Sequence, residues 1–555
     1  MRKSLFNQAM MVVAMAHAKR MLRGFVKATE HATRVQERVL LAKLRRNADS
    51  DYGRRHHFAE IRSYADFIRN VPIQTYEDIR PYIDRVKAGD VQALFGPREK
   101  ILMFSLTSGT TANPKHIPVT YPFYKEYQRG WNIWGLKALL DHREAILRSI
   151  LQVTSPMDDE RTDGGYPAGA ITGLLAAMQM RIIRRFYPAP LCVAYIRNHE
   201  ARYYTLTRLS VPCDTSWIVT ASPATVLRLA RTADGEREAL IRDIHDGGLR
   251  RDIDVPEEIR DELAPRFRPN PARARELERL VEQHGRLLPK HYWNLDFLAN
   301  WMGGTMGLYL QDYPAYFGDV PVRDIGLLSS EGRMCIPLED GTPAGVLEVT
   351  SQFFEFIPAD EYESDAPTVL RSFELEEGEE YFLIVTTSSG LYRYDMGDRV
   401  RMVGWYNQAP IIEFLCKGSH ISSITGEKLT ERQVVGAVDQ VNATGRWRIN
   451  NFVMAPRWSN PPYYVFHVEQ TTGRDAASLA RAVDNELRRS NIEYDNKRQT
   501  DRLAPLSVNL VPDGYLAMLD QEKRRAGSGR SEQYKHVFLY TIPGSDDKFP
   551  SAEGE

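Results

Sequence analysis

Between Phe104 and Pro118 the chain reads FSLTSGTTANPKHIP, five hydroxyl side chains (Ser105, Thr107, Ser108, Thr110 and Thr111) around Gly109, with Lys115 just after. Hydroxyls, together with N–H groups that a glycine turn can converge, suit an anion, and Lys115 adds a mobile positive charge; the stretch reads as a loop for nucleotide phosphates. It is not the common P-loop, which needs two spaced glycines and a closing Lys-Ser/Thr. The same composition also suits a Ser/Thr-rich turn between two elements, and this stretch alone does not choose between them. Four further constellations bear on the choice. Ser329-Ser330-Glu331 offers a carboxylate to Mg²⁺, which prefers hard oxygen ligands. In LYRYDMGDRV, Asp398 follows Gly397 at an expected turn, where a carboxylate can accept from both hydroxyls of a ribose. Lys417 and Lys428 flank a small polar segment, and a lysine near an α-phosphate neutralises charge developing in displacement. GSGRSEQYKHV joins a glycine loop to Arg530 and Lys535. Each of these, taken alone, is equally an ordinary turn or solvated surface charge.

The elements that must position these residues follow from the patterning. Ile101 to Phe104 is a short apolar strand leading into the hydroxyl-rich loop. Residues 1 to about 95 read as helical and charged, ending in VPIQTYEDIRPYIDRV, where Pro72 and Pro81 punctuate the elements. Gly164, Gly165, Pro167, Gly169 and Gly173 make a turn or a cleft lining, and residues 230–290 read as solvated helical faces without chemistry. Short β-branched and aromatic runs at Val346–Val349, Gln352–Ile357, Tyr381–Thr387, Arg399–Met402 and Ile411–Cys416 predict a barrel or sheet layer. After the polar segment a fresh cadence of strand and helix predicts an independent α+β domain of about 130 residues. The expected organisation is a large domain over 1–417, a hinge over 418–426 and a smaller mobile domain over 427–555.

Composition narrows the function. The chain has 555 residues, with 72 Lys plus Arg against 73 Asp plus Glu, so no global field draws it to nucleic acid or anionic lipid; a small-molecule partner is expected. Cys192, Cys213, Cys335 and Cys416 are far apart and form no metal or redox pattern, which points to a reducing, cytoplasmic compartment. The start of the chain imitates a secretion signal, but Lys19, Arg20 and Arg23 would follow the cut at once and apolar residues continue at Met21, Leu22, Phe25 and Val26. A long amphipathic helix docked on the protein explains both features. No segment approaches a membrane-spanning length.

Taken in order, these motifs resemble the GH3 family of acyl acid amido synthetases, relatives of the acyl-adenylate-forming enzymes. TSGTTANPKHIPVT resembles the family's phosphate-binding motif and LLSSEG its Ser-Ser-Glu motif. Tyr394, Gly397 and Asp398 match its Tyr-x-x-Gly-Asp motif, and SQFFEFIP, APIIEFLCK, SITGEKLTE and the late QYK are also similar. The resemblance implies an α/β fold: a large N-terminal domain of β-barrel and sheets flanked by helices, with a smaller C-terminal α+β domain. It implies an ATP- and Mg²⁺-dependent ligase that adenylates a small carboxylic acid and passes the acyl group to an amine, an amino acid, forming an amide. Thr107, Ser108, Gly109, Thr110 and Thr111 would then hold phosphates, Ser330 and Glu331 the metal or the adenylate end, and Tyr394 and Asp398 the nucleotide. Lys417, Lys428 and Lys535 would serve as cationic groups, the last two coming and going with the smaller domain.

Departures from the pattern are Leu327 for a frequent tyrosine, with Phe353 or Phe354 to compensate, Asp395 and Lys417 for frequent arginines, and Ala112-Asn113-Pro114 for a more glycine-rich sequence. Proline stiffens that loop. Tyr124, Trp131, Trp134, Tyr166, Thr220 to Ser222 and Met306 are candidate acyl-pocket walls, with plain core as the alternative for each. His116, His420 and His536 lie near motifs, and none identifies itself as a base. Two other classes stay open: an adenylating enzyme that hands the acyl group to a thiol, and a non-catalytic nucleotide-binding protein on the same scaffold.

Overall fold

A computed structural model describes residues 5–106, 115–362, 364–418, 421–422, 424–425, 427, 429–459, 461–469, 475–499, 501–526 and 536–550. The chain divides into two compact units. The first comprises Met1–Gly303, Leu310–Met396 and Val400–Phe414; the second comprises Gly304–Tyr309, Gly397–Arg399 and Leu415–Glu555.

The first unit begins with the helix Leu5–Thr29, which buries Phe25 in the main core, lays half-buried Met21 and Leu22 against it and packs along the helix Tyr121–Asp141. The amphipathic segment therefore docks on the protein itself. Among the described residues no helix is long and apolar enough to cross a membrane. The helix Tyr76–Lys87 starts from a capping box between Thr75 and Asp78 and runs through Pro81, against the expectation that Pro81 ends an element. Proline at that point costs one hydrogen bond to the Glu77 carbonyl, and the cap with four buried apolar or aromatic side chains outweighs it.

Three sheets build this unit. A four-stranded sheet orders His116–Thr120, Ile101–Leu106, Pro167–Gly169 and Glu160–Arg161, and another runs Ser149–Gln152, Thr215–Val219, Phe297–Ala299 and Val322–Arg323, all parallel. Its long crossovers carry the charged helices Pro223–Gly235, Arg237–Asp246 and Pro271–His284 expected between 230 and 290. The third sheet has seven strands, in the order Leu370–Arg371, Phe353–Pro358, Glu380–Thr386, Tyr394–Tyr406, Ala409–Lys417, Gly345–Leu347 and Cys335–Ile336. The expected β-branched runs all fall in it. Gly164 and Gly165 form a turn, not a cleft lining: the Gly164 N–H donates to the Lys87 carbonyl, and a Cβ there would meet that oxygen at 2.6 Å.

In the second unit the helix Glu431–Ala443, capped by Thr430 and Gln433, and the helix Ala476–Ser490 belong to the same core as a three-stranded sheet. That sheet orders Phe452–Arg457, Tyr463–Glu469 and Ser507–Val511. Its core is its own: Val434, Val438, Phe452, Phe466, Leu479, Val483 and Tyr494 are fully or almost fully buried.

Candidate functional site

Ile101–Leu106 and His116–Thr120 form an antiparallel hairpin whose last pair is Leu106 with His116, so residues 107–115 are its connection. On the outgoing stem Ser105 is fully buried, and a buried hydroxyl needs a partner. It donates to Ser330 Oγ at 2.8 Å, which docks the Ser-Ser-Glu turn against the hairpin. That turn is tight: the Ser329 N–H donates to the Gly332 carbonyl at 2.8 Å and the Glu331 N–H to Ser329 Oγ at 3.2 Å. At Gly332 a Cβ would lie 2.5 Å from Gln352 Nε2, so the Gln352 side chain packs directly over the turn. Glu331 is 7% exposed at the tip.

On the returning stem Lys115 Nζ donates to the Tyr394 hydroxyl at 3.2 Å and lies 5.4 Å from the centre of the Tyr76 ring and 5.8 Å from that of Tyr394. The charge expected to be mobile is held. Aromatic faces attract a cation without neutralising it, and Lys115 has no carboxylate partner among the described residues. Tyr76 is fixed in turn by the His116 backbone, accepting from its N–H at 2.9 Å, and burial pushes its hydroxyl up to about 12. Nothing in the sequence around Tyr76 marked it, because its partners are 40 residues away.

Tyr394 is positioned from both ends of its segment. Its backbone bridges Gln74, and the turn before it is pinned by Ser388, whose hydroxyl accepts from buried Lys43 at 2.7 Å while Lys43 pairs with Glu126 at 2.9 Å. Burial lowers the Lys43 pKa, and the Glu126 charge opposes that. Asp398 departs from expectation. It lies inside the strand Tyr394–Tyr406 and not at a turn, because Gly397 takes φ +63°, which kinks a strand without ending it. Strand alternation leaves Tyr394, Met396 and Asp398 buried.

Behind the Ser-Ser-Glu turn lie two buried charged groups that no motif announced. Asp324 accepts from the Gly326 and Met302 N–H groups, each at 2.6 Å, and burial pushes its carboxyl up to about 7 against those hydrogen bonds. Arg333 passes Gly130, where a Cβ would sit 2.5 Å from its Cδ, and stacks 4.8 Å from the centre of the Trp131 ring. Its Nη2 donates to the Ile325 carbonyl, while Nε, Nη1, the Tyr127 hydroxyl and Trp131 Nε1 have no partner among the described residues. Burial lowers Arg333 to about 10. Of the candidate pocket walls, Tyr124, Trp134, Thr220, Ser222 and Met306 are buried, and Trp134 Nε1 donates to the Asp324 carbonyl.

The structure therefore brings together Ser105, Ser330, Glu331, Lys115 and Tyr394 around the two stems of one hairpin. Thr107, Ser108, Gly109, Thr110, Thr111, Lys428 and Lys535, the side chain of Lys417, and His420 and Arg530 lie outside the described residues. His116 pairs with Glu160 at 2.8 Å, and His536 has both ring nitrogens engaged in the second unit.

The chain matches the GH3 family N-terminal domain over residues 21–322, the central domain over 345–417 and the C-terminal domain over 432–542. It is 26% identical over 525 residues to jasmonoyl–L-amino acid synthetase JAR6 of Nicotiana attenuata, covering 89% of each chain. To indole-3-acetic acid-amido synthetase GH3.8 of Oryza sativa subsp. indica it is 25% identical over 561 residues, covering 94% of this chain and 90% of that one. The solved GH3.15 acyl acid amido synthetase shares its fold, with a TM-score of 0.81 at 21% identity over 94% of both chains.

Proposed function

The chain belongs to the GH3 family, and on that premise we propose that it is an ATP-dependent acyl acid amido synthetase: it adenylates a carboxylic acid, releasing pyrophosphate, and transfers the acyl group to an amine, releasing AMP. The relatives' names point to an amino acid as the amine. The observation that carries this reading is the hairpin. One stem is tied to the Ser-Ser-Glu turn through Ser105 and Ser330, the other to Tyr394 through Lys115.

The chemistry needs this arrangement because a carboxylate is a poor acyl donor and repels a triphosphate. Lys115, a cation with no carboxylate partner among the described residues, fits a polyphosphate, and the hydroxyls of Ser108, Thr110 and Thr111 are of the type that holds phosphate oxygens. Glu331, a single carboxylate, fits Mg²⁺, which commonly rests on one or two protein carboxylates and the phosphates themselves. Bound there, the ion would screen charge between acid and triphosphate. Asp398 would take the ribose hydroxyls. Lys417, Lys428 and Lys535 would neutralise phosphate charge, with residues 418–426 as the hinge between domains 1–417 and 427–555. The free cysteines suit a cytoplasmic setting.

The test is product analysis. Purified protein with ATP, Mg²⁺ and a panel of apolar and aromatic acids is given amino acids, coenzyme A or hydroxylamine in separate reactions. AMP together with an acyl amino acid is expected by mass spectrometry; thioester as the sole acyl product overturns the amide reading.

A further inference from the structure

The strand Tyr394–Tyr406 has a second face, and a cavity of about 610 Å³ opens beside it within the first unit. Its lining includes Ile73, Ile357, Pro367 and Val369 on the apolar side and Arg393, Asp395 and Asp365 on the polar side, with Tyr362 between. The volume is that of a small-molecule site, and the mixture of an apolar wall with a few placed charges is the usual make-up of one. Asp395 alternates with Tyr394 along the strand and Arg393 lies just before it; none of the residues assigned to ATP lines this cavity.

The polar end is built. Arg393 is 6% exposed and rigidly held: Nε donates to both Glu355 oxygens at 3.0 and 3.2 Å, and Nη1 donates to the Val71 carbonyl at 2.9 Å. Glu355 is itself fixed by the Tyr64 hydroxyl at 2.9 Å. The remaining nitrogen, Nη2, makes no hydrogen bond among the described residues. The backbone at Arg393 has φ +45°, a conformation a non-glycine residue keeps only when its surroundings enforce it. Two residues along, the Asp395 carboxylate is oriented by the Tyr362 hydroxyl at 2.7 Å, and the Tyr362 ring is itself stacked on Phe382.

The Arg393 guanidinium, whose Nη2 makes no hydrogen bond among the described residues, and the Asp395 carboxylate both line the cavity, beside a branched-aliphatic wall. We propose that this cavity binds a free α-amino acid with an aliphatic side chain: its carboxylate accepts from Arg393 Nη2, its ammonium donates to Asp395 and Asp365, and its side chain packs on Ile73, Ile357 and Val369. None of the residues assigned to the nucleotide takes part in it.

Calorimetry with leucine, without ATP or acid, tests it in wild type, Asp395→Asn and Val369→Trp proteins. Asp395→Asn keeps an acceptor for Tyr362 but removes the charge; Val369→Trp fills the apolar wall. The expected result is binding in wild type, at least tenfold weaker in Asp395→Asn and absent in Val369→Trp, with leucinamide and 4-methylpentanoate each binding at least tenfold more weakly than leucine to wild type. No heat with wild type, or equal affinity in wild type and Asp395→Asn, overturns the proposal. If Val369→Trp fails to fold, the comparison of wild type with Asp395→Asn decides. ATP–pyrophosphate exchange is measured in parallel, so failure of the nucleotide reading shows as missing exchange while leucine binding stands.

Discussion

His536 and Arg333 are both buried basic side chains, one in each compact unit, and their surroundings treat them differently. His536 has both ring nitrogens engaged, Nδ1 with Asp520 at 2.9 Å and Nε2 with the Phe452 carbonyl at 2.7 Å. Among the described residues Arg333 donates only through Nη2 and is otherwise held by shape, between Gly130 and the Trp131 ring. At His536 both ring nitrogens are paired, which fastens the segment after residue 535 to the sheet. Beside the Ser-Ser-Glu turn Arg333 leaves Nε and Nη1 without a partner among the described residues, so that arginine is held by packing more than by paired charge. A structural histidine and a packing-held arginine should then fail in different ways.

The largest effect is expected at the closed network. His536→Ala leaves Asp520 and the Phe452 carbonyl without this partner inside the protein and should cost about 2–4 kcal/mol by urea denaturation, while exchange per folded molecule stays at the wild-type rate. A loss of exchange in folded protein would erase the contrast between the units.

Asp324 comes next, and its effect is one of pH. Its folded-state pKa of about 7 lies above the unfolded value, so its contribution is fully present below about pH 4 and is lost as pH rises towards 7. Relative to Asp324→Asn, wild type should lose roughly 2–4 kcal/mol over that window and then stay level. Thermal melts of both proteins from pH 4 to 8 check it; parallel curves contradict it.

Gly130→Ala should destabilise by about 1–3 kcal/mol, because the added Cβ would sit 2.5 Å from Arg333 Cδ, and the Gly130→Ala/Arg333→Ala pair should recover most of that loss in a double-mutant cycle. Additive losses would mean that shape is not what holds Arg333. The smallest effect belongs to Tyr394→Phe, which removes the hydroxyl that holds Lys115 and should raise KM for ATP by about 3–10-fold, worth about 0.5–1.5 kcal/mol, with stability little changed.

Much of this was legible in the sequence. The apolar run before Ser105, the β-branched runs between 345 and 416 and the ordered motifs marked the hairpin's first strand, a sheet layer where the seven-stranded sheet lies, and the family, since strand periodicity and local chemistry are written in adjacent residues; the return strand His116–Thr120 was not marked. Asp398 was misplaced at a turn because a single glycine looks like punctuation, whereas at φ +63° it bends a strand that continues. Pro81 misled in the same way. Tyr76 under Lys115, Gly130 against Arg333 and Lys43 under Ser388 were not legible at all: each pair is joined by tertiary approach across tens to hundreds of residues, and no spacing encodes it.

The measurement that bears most directly on the whole account is acid-dependent ATP–pyrophosphate exchange in wild type and Glu331→Gln proteins. Exchange that requires a carboxylic acid in wild type and falls by at least about 100-fold in the variant, with its melting temperature unchanged, is the predicted result. Exchange with no acid on the panel, or equal exchange in the two proteins, would contradict it.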